Sequence, residues 1–353
     1  MNSPYAYRGG WYVPGRLTNG FARRVTERDL AIVRSSYARQ GATILGNKTA
    51  FPVLDAHPDA GGVAFNLPLE LPFTRTEYYI GEGVRWIGEH SEQEYDDEGF
   101  PLVAGRSESP PLTYEPGRTY TERWNQGVFG PAFGQPRHLL PNEFVTRLGN
   151  TITVAPALYG DGNGRSGWDD TANTRISLFR DGTKIGEVVA SKASFQVPDT
   201  AATYRLAVRG QREADDLSTE IDAVWTFRSS HVAGDKPVRL PLSAATFSPP
   251  LDEYNRAPSG PLAVPISIGA QPDSNAGSVE HLNVTVSFDD GRTWRDTPVI
   301  STNGKRFAKV IHPAGHGHVS LRVQLRDSKG NSARHTIIRG YRFGGGEVAP
   351  RRP

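Results

Sequence analysis

The residues able to do chemistry fall in a few short stretches. His312, His316 and His318 lie within the seven residues HPAGHGH. Imidazole is a common metal ligand, and spacing this close could bring two rings to one ion. Pro313, Ala314, Gly315 and Gly317 read instead as a turn between strands, and no carboxylate lies nearby in sequence. The stretch DGNGRSGWDD offers Asp161, Asn163, Asp169 and Asp170 as hard oxygen ligands of the kind Ca²⁺ takes. Arg165 stands where an EF-hand loop needs a ligand, and Asp and Asn favour turns on their own account. His90 to Gly99, HSEQEYDDEG, carries five carboxylates and reads as a solvated loop. Trp11, Tyr12, Tyr78, Tyr79, Trp86, Trp124 and Trp168 could form a platform for stacking sugars, or could fill sandwich cores. No Ser, His and Asp stand in a recognisable nucleophile setting, so a self-contained hydrolase is not expected.

One stretch has a sharper signature. In LNVTVSFDDGRTW, Leu282, Val284, Val286 and Phe288 alternate with polar residues, the mark of a strand with one buried face. Asp289, Asp290 and Gly291 supply turn chemistry, and Thr293 and Trp294 restart an extended run. Ser287, Asp289, Gly291, Thr293 and Trp294 fit the Asp-box hairpin of sialidases and many other secreted β proteins. Its Ser and Asp can bond the turn backbone while the Trp packs underneath. These are folding roles. A sialidase would need several such hairpins and an arginine cluster, and the sequence has one box.

Elements that position these residues follow from composition and alternation. Of 353 residues, only 37% are hydrophobic, while 38 Gly and 27 Pro suit short strands joined by turns. Aromatic residues are spread along the whole length, which excludes disorder. The net charge of +2 supplies no field for nucleic acid. Without Cys, neither disulfides nor thiolate metal sites can form. No apolar run is long enough to span a membrane. The segment MNSPYAYRGGWYV lacks the apolar core of a signal peptide, so any export signal is expected upstream.

Residues 1–145 read as an irregular β-rich unit. Thr26 to Gln40 is its one candidate helix, with Thr26 and Asp29 at capping-box spacing and Gly41 as a stop, although its β-branched content suits a strand as well. Phe65, Leu67, Leu69, Leu71 and Phe73 alternate, and Pro68 and Pro72 on the other parity place that strand at an edge. Thr76 to Tyr79 and Val84 to Ile87 are further strands. Residues 146–231 read as a β-sandwich, with a hairpin at Asp181-Gly182. After a polar linker from Ser229 to Pro237, residues 238–343 read as a second sandwich, and 344–353 as a loose tail. The expected fold class is all-β: tandem immunoglobulin/fibronectin-like sandwiches preceded by the irregular unit.

Several stretches resemble one family: RTEYY at 75–79, TERWN at 121–125, LYGDG at 158–162 with Gly167-Trp168, WTFRS at 225–229, LDEYNRA at 251–257, DDGRTW at 289–294 and VSLR at 319–322. Gly330-Asn331 followed by TIIRGY at 336–341 belongs to the same set. Together they resemble the C-terminal accessory region of large, secreted bacterial subtilisin-like serine peptidases, over residues 1 to about 343. That resemblance implies an extracellular β-sandwich region following a catalytic domain. The catalytic motifs themselves are missing. Asp199-Thr200 is followed by Ala201, His316-Gly317-His318 by Val319, and no internal Met exists for the serine motif. The chain is therefore expected to be a non-catalytic accessory region without cofactors. Its expected partner is a subtilisin-like catalytic domain, in the same chain or from a neighbouring gene, with glycan or protein substrate as a further contact. The alternative is a stand-alone extracellular module binding a glycan or polymer.

Overall fold

The structure is a computed structural model that describes residues 3–11, 20, 22–42, 45–58, 64–95, 98–134, 144–212 and 215–345. Among them there is no α-helix, and no helix long and apolar enough to cross a membrane. The fold is all-β.

The N-terminal module packs two sheets face to face. One runs Tyr5–Arg8, Phe73–Ile80, Leu30–Tyr37, Thr119–Trp124. The other runs Ser166–Trp168, Pro101–Glu108, Val84–Tyr95, Leu45–Leu54, Leu67–Glu70. Ala31, Val33 and Tyr79 from the first meet Ala50, Val84 and Trp86 from the second. The alternation from Phe65 to Phe73 does not form the one strand expected: Leu67–Glu70 is outermost in its sheet, where Pro68 is tolerated, Pro72 follows a cis bond in the turn beyond it, and Phe73 opens a strand of the other sheet.

Two expectations are corrected here. Thr26 and Asp29 do bond each other, Thr26 N to Asp29 Oδ2 at 2.7 Å, but they close a single 3₁₀ turn, Glu27–Asp29. Leu30–Tyr37 is then a strand, because Ala31, Val33, Ser35 and Tyr37 all turn into the core at period two. The carboxylate-rich stretch from His90 is also strand through Tyr95. Glu92 is fully buried there, accepting from Asn125 Nδ2 at 2.5 Å and Gln40 Nε2 at 3.1 Å. Asp96 and Asp97 lie outside the described residues.

Both sandwich units are built on one sheet. Its strands run Thr183–Val189, Asn173–Arg180, Ala202–Gln211, Glu220–Ser229, Ser332–Phe343, Gly317–Asp327, Val279–Ser287, Arg295–Thr297. The seam is the antiparallel pairing of Glu220–Ser229 with Ser332–Phe343. Two four-stranded sheets cover its inner face. One is Ala193–Gln196, Thr151–Val154, Thr146–Leu148, Val238–Arg239, and the other Ser243–Phe247, Pro261–Ala270, Lys305–Ile311, Val299–Thr302. A single apolar core runs through both, from Ile152 and Phe195 to Val264 and Val310. Asp181 and Gly182, both at positive φ, form the expected two-residue hairpin turn. The polar linker after Ser229 leads back to Val238–Arg239, beside Thr146–Leu148.

Asn255 locks the modules together. It is fully buried, accepts from Gly127 N at 2.7 Å, and donates Nδ2 to the carbonyls of Arg39 and Asn125, each at 3.1 Å.

Candidate functional site

The inner face of the long sheet is covered by the two smaller sheets, and its outer face is open to solvent. Side chains of one parity line up there across neighbouring strands. Arg209, Asp222, Thr336, Arg322 and Thr285 form one such row. Ala207, Val224, Arg334, Gln324 and Asn283 form the next, and Arg205, Thr226, Ser332, Arg326 and His281 the one after. Two hollows, of about 1100 Å³ and 620 Å³, lie along these rows and share Arg334. Glu94 and Leu102 of the N-terminal module wall one end.

The turn at Ser287 borders the larger hollow. Ser287 Oγ donates to Asp289 Oδ1 at 2.7 Å and accepts from Gly291 N at 2.9 Å. Asp289 accepts from Thr293 N at 2.9 Å and Thr293 Oγ1 at 2.6 Å, and these bonds hold its carboxyl well below the usual range. Trp294 Nε1 donates to Gly291 O at 2.9 Å. The turn therefore fixes the half-buried Trp294 ring, and the Arg322 guanidinium lies 4.0 Å from its centre. Arg322 Nε donates to Thr336 Oγ1 at 3.1 Å. Burial lowers the Arg322 pKa, Arg334 adds to that, and Asp222 opposes it. Asp290 is taken up by Arg339 through two bonds of 2.9 and 2.7 Å.

The other candidates are committed elsewhere. Asp161 is buried and accepts from Asn163 N at 2.9 Å and Arg165 Nη1 at 2.8 Å. Asp169 accepts from Thr171 N at 2.9 Å and pairs with buried Arg212, while Asp170 is exposed. The stretch thus serves as a turn and an ion pair. His312 joins an aromatic cluster. Its Nδ1 is 2.9 Å from Pro258 O, its Nε2 3.0 Å from the Tyr341 hydroxyl, and its ring stacks on Phe343. His316 is exposed, and burial pulls His318 down to about 4.

The expected aromatic platform is divided between faces. Tyr79, Trp86 and Trp124 are buried, Trp168 sits under Arg106, and Trp11 is partly exposed. Tyr12 lies outside the described residues. What does face outward is Tyr78, stacked on Tyr7 at 4.8 Å with Tyr5 beside them. The alternation in YAYR, residues 5–8, was the available signal for that pair.

Several titratable groups of the N-terminal module face inward. Glu77 accepts from the hydroxyls of Tyr37 and Tyr79 and lies 3.6 Å from Arg8. Burial alone would raise its pKa, but Lys48 and Arg8 bring it below the usual value. Trp124 is sandwiched by cations, with Lys48 Nζ 3.4 Å and the Arg165 guanidinium 3.7 Å from its ring. Burial pulls Lys48 down to about 8. Gly88 is required here, because a Cβ would stand 2.4 Å from Lys48 Nζ and 2.8 Å from Trp124.

No family model matches the sequence, and no curated protein matches it. Solved structures with similarity include fibronectin(III)-like modules of Clostridium thermocellum CbhA, at 10% identity, covering 57% of this chain and 88% of that one, with a TM-score of 0.20. The FN1–FN3 domains of chicken CNTN1 are 11% identical over 85% of this chain and 91% of that one, with a TM-score of 0.17. Three N-terminal domains of the bacteriophage RB49 outer capsid protein Hoc are 9% identical over 90% and 100%, with a TM-score of 0.21. These likenesses specify no ligand or reaction, and the architecture above rests on the chain's own sheets.

Proposed function

We propose that this chain is a non-catalytic accessory region of a secreted subtilisin-like serine peptidase. The resemblance of residues 1 to about 343 supplies the family. One structural observation carries the non-catalytic reading. Five ionisable residues of the N-terminal module, Lys48, Glu77, His90, Glu92 and Glu122, are buried. None of these five is presented to a substrate. The same module shows solvent an aromatic patch of Tyr5, Tyr7 and Tyr78, of the kind a neighbouring domain covers. The partner is a subtilisin-like catalytic domain, and the setting is extracellular.

The test is casein hydrolysis by the purified chain, with fluorophosphonate labelling alongside. Neither hydrolysis nor labelling is expected. Labelling of one serine with hydrolysis overturns the reading. Adding a subtilisin-like catalytic domain then tests the partner: a complex weakened by Tyr7→Ser supports docking at the patch, and no complex removes the peptidase assignment.

A further inference from the structure

We propose that the outer face of the continuous sheet binds an acidic polysaccharide, a chain carrying uronate or sulfate groups. The inference is independent of the peptidase assignment, since the arginines it uses all stand on strands of the two sandwiches.

The basic part of the face is the smaller hollow, where Arg205, Arg326 and Arg334 stand in a lining that holds no carboxylate, although the chain as a whole is nearly neutral. The larger hollow is mixed, with Glu94, Glu220, Asp222 and Asp290 beside Arg212, Arg322 and Arg334. Arg209 is neutralised by Glu220 at 2.8 Å. Arg205, Arg322, Arg326 and Arg334 have no carboxylate within ion-pair distance among the described residues. Arg322 and Arg334 are diagonal neighbours across adjacent strands, close enough for Arg334 to oppose the charge on Arg322. Two like charges held together beside a hollow are relieved by an anion. Thr336 and Trp294 hold Arg322 in place, so little side-chain freedom is lost when one binds.

The neutral residues say which anion. Thr285, Thr336, Asn283, Gln324 and Thr226 lie between the arginines. Hydroxyl and amide groups at that density can pair with sugar hydroxyls. A single ring, Trp294, borders the hollow, whereas single-stranded nucleic acid is held by successive stacking rings. The trough also crosses the seam between the sandwiches, so the site exists only because the sheet is continuous.

Binding of the full chain to alginate oligomers, a polyuronate, is measured by titration calorimetry, with heparin, neutral dextran, polyglutamate and oligothymidylate as comparisons. Alginate and heparin are expected to bind, more weakly as salt is added, and dextran is not. The double variant Arg326→Gln/Arg334→Gln changes two exposed side chains that bond nothing among the described residues, so the fold is expected to persist by circular dichroism. Its alginate affinity is expected to fall roughly tenfold or more, about the effect of one lost charge-assisted hydrogen bond. Arg28→Gln, on the N-terminal module, is expected to change nothing. No alginate binding, undiminished binding by the folded double variant, or equal binding of dextran overturns the proposal. Tighter binding of oligothymidylate or polyglutamate reassigns the face to nucleic acid or acidic peptide and overturns it as well.

Discussion

The rings of Trp225 and His335 meet edge to face, 5.3 Å apart, across the seam that joins the two sandwiches. Trp225 closes the first sandwich in sequence, and His335 lies on the last strand of the second. Trp225 is 1% exposed and donates Nε1 to Ser243 O at 2.9 Å. One side chain of the first sandwich thus contacts two strands of the second, Ser243–Phe247 and Ser332–Phe343.

That contact predicts cooperative unfolding. In urea, both sandwiches are expected to melt in one transition. Trp225→Ala is expected to lower the stability of the whole by about 3–5 kcal/mol, the usual cost of emptying a large aromatic site. Two separate transitions, with only one shifted by the variant, would show that the seam does not couple them.

His335 itself predicts a pH dependence. Both its ring nitrogens are buried without a hydrogen-bond partner, and burial pulls its pKa down to about 3. Buried His90 is likewise pulled down to about 3, with Lys48 and Arg165 adding to the effect. An unfolded histidine titrates near 6.5. As pH falls, the unfolded chain takes up these protons first. The stability contribution is whole above about pH 6.5 and is lost progressively from there toward about pH 3, at about 1.4 kcal/mol per pH unit for each histidine. Asp215 works the other way, because burial raises its pKa to about 6 and its protonation favours the fold. The difference between wild type and His335→Leu isolates the one group. Urea midpoints from pH 7 down to about pH 4 should fall less steeply in His335→Leu. Parallel curves would contradict the buried, neutral imidazole.

Asn255 should be the most sensitive polar position between modules. Its three side-chain bonds and its positive φ of 57° both favour asparagine. Asn255→Ala is expected to destabilise by about 3 kcal/mol, roughly one for each lost bond. Asn255→Gly keeps the backbone conformation and loses the bonds, so the pair of variants separates the two effects. Denaturant midpoints of both, with proteolysis of the N-terminal module as a second readout, check this. Wild-type values for Asn255→Gly would mean that the bonds contribute nothing.

Ser287 tests the turn beneath the trough. Ser287→Ala leaves Gly291 N without its acceptor in a part-buried site and is expected to cost about 1–3 kcal/mol. Trp294 should loosen with it, seen as changed tryptophan fluorescence and reduced alginate binding. Unchanged stability and fluorescence would mean that the turn holds without its serine.

Signals that act over a few residues were readable from the sequence. The Asp181-Gly182 hairpin follows from a dipeptide that accepts positive φ, and the edge position of Leu67–Glu70 from a proline that cannot donate. The Ser287 to Trp294 turn follows from side chains that reach only their own backbone. Where two periods competed, the local signal was insufficient. Thr26 and Asp29 start a turn as a helix would, but the strands on both sides of Leu30–Tyr37 make extended backbone the better hydrogen-bonded choice. The polar residues from His90 to Tyr95 read as loop because the partners that bury Glu92, Gln40 and Asn125, are far away in the chain.

The candidate site belongs to tertiary structure alone. Asp222, Arg322 and Arg334 sit on three strands, and each taken singly is an ordinary exposed-face residue of an alternating strand. Only the pairing of Glu220–Ser229 with Ser332–Phe343, and of that strand with Gly317–Asp327, sets them side by side. Alternation specifies which side chains leave the core. It does not specify which strand lies next, because that choice depends on the apolar area buried by every other strand at once. From its sequence this chain is an all-β protein of short strands and bonded turns; that two sandwiches share one sheet, and expose its arginine-lined face, was decided by the packing.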